Sequence, residues 1–236
     1  MQLSAPIYKL KHTAKRLARR EAIPLHEALD RLAAQEGHKS WSHLAASWRR
    51  AHPAKKVMSH LARGDMVLLG ARPGHGKTRL GIELAALAKC HGRRGFFFTL
   101  DYHEREVAEH FADLGVDQTP GARSVIVDTS DEISADHIID RLAGHEGPAF
   151  VVIDYLQVLD QKRSNPPVNE QIQRLRRYVK GHDAICVVIS QLERRFDLQD
   201  KAMPDVGDIR LPNPLNTSLF DKRCFLHDGK VRLDLA

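Results

Sequence analysis

Residues 66–78 read Met-Val-Leu-Leu-Gly-Ala-Arg-Pro-Gly-His-Gly-Lys-Thr. A short apolar run leads into a loop with two glycines, a lysine and a threonine. Leu80, Ile82, Leu84, Ala85, Leu87 and Ala88 follow at helical spacing. Strand, glycine loop, helix is the setting a phosphate-binding loop requires. Gly74 and Gly76 let backbone N–H groups turn inward around a polyphosphate, and the start of the next helix adds its positive dipole end. Lys77 supplies a point charge to the β- and γ-phosphates. The Thr78 hydroxyl is placed to ligate Mg²⁺. The expected nucleotide-binding set is Ala71, Arg72, Pro73, Gly74, His75, Gly76, Lys77, Thr78 and Arg79, with ATP and Mg²⁺ as cofactors. One departure stands out: the usual motif begins with Gly, and Ala71 occupies that place.

Outward from this loop the chain alternates. Short apolar runs at 66–70, 95–100, 124–128, 149–154 and 184–190 read as strands covered on both faces. Helical patterns at 77–91, 103–113, 134–144 and 168–181 separate them. Two last strands, 222–227 and 230–234, flank Asp228-Gly229 as a hairpin turn. Repeated β–α units imply an α/β fold with a mostly parallel sheet and right-handed crossovers.

The 236 residues carry a net charge of +6, unevenly placed. Residues 1–56 account for +8 and residues 57–236 for −2. The basic character belongs to the N-terminal segment, which is read as a small all-helical module. One helix is expected from Leu10 to Glu21, carrying Lys11, Lys15, Arg16, Arg19 and Arg20. A second starts at Pro24. A third, capped by Ser40, carries Trp41, Leu44 and Trp48. This pattern fits a DNA-binding helix-turn-helix and a protein-docking bundle equally well. Residues 49–56 read as a linker, dividing a module at 1–56 from a main domain at 57–236.

Cys90, Cys186 and Cys224 are far apart and odd in number, against a disulfide framework or zinc site. The fourteen histidines include no His-Glu-x-x-His pattern. No apolar run approaches the roughly 18–20 residues that span a bilayer, and the start of the chain lacks the apolar core of a secretory signal. The expectation is a soluble cytoplasmic protein with no membrane partner.

Further carboxylates end two of the predicted strands. Asp154 closes Ala149-Phe-Val-Val-Ile, where an acidic group faces the ligand crevice and holds Mg²⁺ through water. Asp101 closes Gly95-Phe-Phe-Phe-Thr-Leu and is a candidate to orient or deprotonate the attacking water. A third strand ends Ser190-Gln191, and the Gln191 amide can sense a γ-phosphate. Lys77, Asp101, Asp154 and Gln191 make the expected catalytic set, with Thr78 and Asp154 for the metal.

Ala71-Arg-Pro-Gly-His-Gly-Lys-Thr78, Thr99-Leu-Asp101, Val152-Ile-Asp-Tyr-Leu-Gln-Val158, Val188-Ile-Ser-Gln-Leu192 and Asp208-Ile-Arg210 follow one another in this order. In this order they resemble the C-terminal motor of DnaB-type replicative helicases, a RecA-like ATPase. The resemblance covers about residues 57–236. It implies ATP hydrolysis at the subunit interfaces of a homo-oligomer, usually a hexameric ring, that translocates on single-stranded DNA. Asp101 falls where that family usually has a catalytic Glu, one methylene longer. Lys230-Val-Arg232 is the local match to the family's arginine finger. Lys162, Arg163 and Arg210 lie in the loops that would face DNA. The N-terminal helical domain of those helicases is not expected here: in its place, Leu10-Lys-x-x-Ala-Lys-x-Leu17 with Gly37-x-x-x-Trp41-x-x-Leu44 resembles a module of glyoxalase-related proteins. The function expected is an ATP-dependent DNA helicase or translocase. The alternative is a nucleotide-gated module that binds DNA or a replisome protein without unwinding.

Overall fold

The computed structural model describes residues 3–5, 7–50, 53–114, 116, 125–160, 165–198, 201–210 and 215–235. The chain divides into two compact units, residues 1–53 and 54–236.

In the larger unit seven strands form one sheet: β1 Met66–Ala71, β2 Arg94–Thr99, β3 Val125–Asp128, β4 Ala149–Asp154, β5 Ile185–Gln191, β6 Lys222–His227 and β7 Lys230–Leu235. Their order is β3-β2-β4-β5-β1-β6-β7. All neighbours are parallel except the β6–β7 hairpin. The sheet is therefore the expected α/β type. β1 and β4 are buried along their whole length, as apolar strands of a two-sided parallel sheet must be.

Strand residues alternate between faces, and the two cores show it. On one face Val67, Leu69, Phe97, Val152 and Val187 pack with α4 (Pro53–Met58), α5 (Lys77–Leu87) and α6 (Glu104–Asp113). On the other, Met66, Leu68, Phe98, Val151 and Val188 pack with α7 (Ala135–Ala143) and α8 (Val168–Gly181). Helix α5 lies close against the sheet: a Cβ built on Gly95 of β2 would collide with the Ala85 carbonyl oxygen. At the opposite edge of β1, Asp221 accepts hydrogen bonds from the Met66 N–H and from Arg176 and Lys180. Burial pushes the Asp221 carboxyl up, and these donors outweigh it, holding its pKa below the ordinary value. Cys186 and Cys224 are free thiols in the core, pushed up to about 12 by burial.

The smaller unit holds α1 (Ile7–Glu21), α2 (Leu25–Gln35) and α3 (Trp41–Arg50). Ala14, Ala28 and Leu32 form one small core, with Leu17, Ala18 and Ile23 against it. Ala33 and Leu44 form another beside Trp41. Ser40 caps α3, accepting from the His43 N–H at 3.1 Å. The stretch expected as a linker instead carries the end of α3 and most of α4. Ala54, Val57 and Met58 are buried in the larger unit's core, because three apolar residues in one short turn bury more cheaply than they stay wet. Among the described residues no helix is long and apolar enough to cross a membrane.

Candidate nucleotide site

The C-terminal ends of β1, β5, β4 and β2 stand side by side. Register pairs Ala71 with Gln191, Asp154 with Ile189, and Thr99 with Asp154. The strand ending in Gln191 therefore lies between the glycine-loop strand and the strand ending in Asp154. Crossover connections place every loop that follows these strands at one edge, the usual ligand crevice of such a sheet.

Gly74 and Gly76 both take positive φ, +80° and +87°. That left-handed backbone is cheap for glycine alone. It turns the chain sharply into α5, whose first residues are Lys77 and Thr78, both buried. A Cβ built on Gly76 would meet nothing within 4 Å, so there is open space beside this glycine.

Lys77 reaches across this opening. Its Nζ donates to Asp154 Oδ1 at 3.2 Å and sits 5.1 Å from the centre of the Tyr155 ring. The Asp154 side chain is fully buried, and its Oδ2 has no hydrogen-bond partner. A buried carboxylate oxygen with no donor is expensive unless a ligand or cation completes it. The Asp154–Tyr155 peptide is cis.

Asp101 sits on the exposed lip beyond β2, its N–H donating to the Thr99 hydroxyl at 3.2 Å. Loss of water around its carboxyl raises its pKa. The Lys77 charge opposes this, and the Asp154 charge adds to it. The net direction is upward from 3.8. Asp101 is thereby electrostatically linked to the Lys77–Asp154 pair.

Gln191 is half-buried at the end of β5, and its carbonyl accepts from the Arg210 N–H at 2.7 Å. The Arg210 carbonyl in turn accepts from Gln157 Nε2 at 3.1 Å. Arg210 is thus tied to the strand that carries Gln191 and to the side chain of Gln157 after β4. Arg210 itself is exposed. Lys162 and Arg163 lie outside the described residues.

Two more of the expected nucleotide-binding residues contact protein groups in this structure, Arg79 in α5 and His75 in the loop. Arg79 donates from Nε to Glu83 at 3.0 Å, one turn along α5. His75 turns toward the β6–β7 hairpin, stacking on His227 with ring centres 4.9 Å apart. Arg72, one of the expected nucleotide-binding residues, makes protein contacts that the sequence did not point to. Its Nε donates to both Asp197 oxygens at 3.0 Å, and Nη1 donates to the Leu192 carbonyl at 2.9 Å. Asp197 lies in a short 3₁₀ turn after β5, so no spacing rule could have paired it with residue 72. Arg232 is held within its own strand, donating to Asp234 at 3.0–3.1 Å with its guanidinium over the Phe225 ring at 5.2 Å.

The chain is similar to known proteins over this region. A family model described as DnaB-like helicase C terminal domain matches residues 110–215, which include Asp154 and Gln191 but not the glycine loop. The replicative DNA helicase DnaB of Synechocystis sp. is 25% identical over 183 residues, covering 64% of this chain and 21% of that protein. The replicative DNA helicase DnaB of Mycoplasma pneumoniae is 22% identical over 217 residues, covering 76% and 46%. The chain thus spans less than half the length of these curated relatives. Among solved structures, an ATPase domain matches with a TM-score of 0.57 at 19% identity, over 71% of this chain and 70% of that one. A DnaB-like replicative helicase, solved in a study of its interactions with primase, matches with a TM-score of 0.56 at 17% identity, over 71% and 48%. These likenesses support the α/β fold with its mostly parallel sheet.

Proposed function

We propose that this chain is the ATP-hydrolysing motor unit of a DnaB/RecA-like protein that moves along single-stranded DNA as a homo-oligomeric ring. One observation carries the reading. A fully buried carboxylate shares one oxygen with the glycine-loop lysine and leaves the other without a donor, beside an open glycine turn.

These residues fit a magnesium nucleotide. Thr78 and Asp154 would hold the Mg²⁺, which supplies charge neutralisation at the phosphate oxygens when bound. The N–H groups of the loop and of the first turn of α5 bind the polyphosphate. Lys77, already held in place by Asp154, presents its ammonium to the terminal phosphates without a search through rotamers. Asp101 would accept a proton from the attacking water, and its raised pKa would make it a better base than an ordinary Asp. Gln191 sits on the strand between the loop and Asp154, where its amide can report the γ-phosphate to the segment around Arg210. The similarity to proteins named replicative DNA helicase DnaB supports the DNA substrate; the ring rests on the motif order that resembles this family.

The test is ATP turnover by the full chain with and without single-stranded DNA, beside its mass in solution. A multimer with DNA-stimulated turnover is expected. Turnover that ignores single-stranded DNA at every protein concentration would overturn the motor reading. ATP binding with no turnover would leave a nucleotide-gated binding module.

A further inference from the structure

The turn of the β6–β7 hairpin meets the glycine loop through three potential metal-ligating side chains. His75, His227 and Asp228 each offer a ligand atom, and these atoms all lie within 4.8 Å of one another. His75 Nδ1 is 3.5 Å from Asp228 Oδ1 and accepts, at 3.4 Å, from the Asp228 N–H. A cation bound here would take the Nδ1 lone pair in place of that long contact. His227 Nε2 is 3.6 Å from Asp228 Oδ2. Nε2 is thus the ring nitrogen nearest the carboxylate; the other, Nδ1, is buried with no hydrogen-bond partner among the described residues. Phe196 packs edge-on against the His227 ring at 5.1 Å and limits where it can swing. Asp228 is exposed and held in the left-handed region at φ 46°, projecting from the turn.

The geometry points to a binding site for a divalent d-block cation of the zinc class, formed by His75, His227 and Asp228. Two imidazoles and one carboxylate suit Zn²⁺, Co²⁺ or Ni²⁺, and suit Mg²⁺ poorly because it favours oxygen. Ligand atoms around a tetrahedral zinc sit about 3.3 Å apart. The three side chains must therefore close by on the order of 1–1.5 Å, within the reach of rotamer adjustment at a turn. Water fills the fourth position of such a three-ligand site. The site is separate from the Thr78–Asp154 pair. It fastens the glycine loop to a hairpin turn 153 residues later in the chain.

Fastening the loop has a consequence. If the loop holds polyphosphate, zinc and nucleotide must change each other's affinity by the same factor. That consequence alone rests on the nucleotide reading.

The test is calorimetric titration of the full chain with Zn²⁺ in chelator-free buffer without nucleotide, repeated with H227Q and D228N. Thermal midpoints without metal check that each variant folds; Asp228 is exposed, so D228N serves even where H227Q does not fold. The expected result is one Zn²⁺ bound per chain that both variants lose or bind at least about tenfold more weakly. Co²⁺ in place of Zn²⁺ should give visible absorption bands in the parent chain alone. Equal stoichiometry and affinity in the parent and D228N would overturn the site, whatever the outcome for nucleotide.

Discussion

Lys77 Nζ lies 3.2 Å from Asp154 Oδ1, and the two side chains are 9% and 0% exposed. They are separated by 76 intervening residues and joined by the order of the strands. The lysine that should meet phosphate is thereby also the partner of a buried carboxylate.

Removing that partner has two effects that can be separated. Lys77→Ala should abolish nucleotide binding and also strand the Asp154 charge. Stranding a buried charge costs about 3 kcal/mol. A urea melt should show the loss, and Lys77→Ala combined with Asp154→Asn should regain much of it without regaining nucleotide binding. If the double variant is no more stable than the single, the pair is not electrostatically coupled.

Asp101 should set the acidic limb of turnover. Its folded pKa is raised above 3.8 by loss of water, so it becomes a competent base only at a pH above that value. The sign also bears on stability: an acid with a raised folded pKa holds its proton more tightly when folded, so ionising it costs folding free energy as pH rises past its ordinary value. Asp101→Asn should keep ATP affinity, stop turnover and remove that cost. An acidic limb at or below 3.8 would mean that the base is another group.

Arg72 ties the loop to the end of β5 through Asp197 and the Leu192 carbonyl. The Arg72 hydrogen bond is the largest influence on the Asp197 carboxyl and holds its pKa below the ordinary value. The stabilisation from this pair is therefore present at neutral pH and lost as pH falls through the lowered pKa. Arg72→Lys cannot reproduce the forked contact. It should weaken nucleotide binding about tenfold, the size of one charge-assisted hydrogen bond of about 1.5 kcal/mol. Unchanged affinity, measured by fluorescent-nucleotide titration, would show that the loop keeps its shape without this tie.

Gly95→Ala should destabilise the larger unit by about 1–3 kcal/mol, the range for overpacking a dense core. The new methyl would fall on the Ala85 carbonyl of α5, which is backbone and cannot rotate away. A thermal midpoint equal to the parent's would show that α5 lifts freely from the sheet.

A deletion that tests the basic segment should end before α4. Residues 1–56 hold the charge excess, yet Ala54 is already in the larger unit's core. Removing residues 1–52 should weaken single-stranded DNA binding and flatten its salt dependence, since fewer phosphate contacts release fewer counterions. Unchanged affinity and slope would make the segment a protein-docking module.

Local patterns made much of this molecule readable from its residues alone. The apolar runs at 66–70 and 149–154 read as strands covered on both sides, as they are, and the helix after Gly76 followed from its periodicity. The hairpin turn at Asp228-Gly229 was legible because glycine and aspartate tolerate the backbone it needs. Residues 49–56 were read as a linker, but α4 (Pro53–Met58) begins inside that stretch; six residues are too few to show a helical period, and their apolar side is defined only by the core they enter.

The chemistry of the site divides the same way. Spacing alone supplied the loop with its lysine and threonine, since phosphate binding needs those groups within a few residues of one another; the carboxylates Asp101 and Asp154 were legible from their places at the ends of apolar strands. Strand order and chain return determined what those groups touch. That Lys77 meets Asp154, that Arg72 meets Asp197, and that His75 meets His227 depends on which strands become neighbours. Such neighbours are chosen by burial of both sheet faces at once, a property of the packed whole that no local window contains.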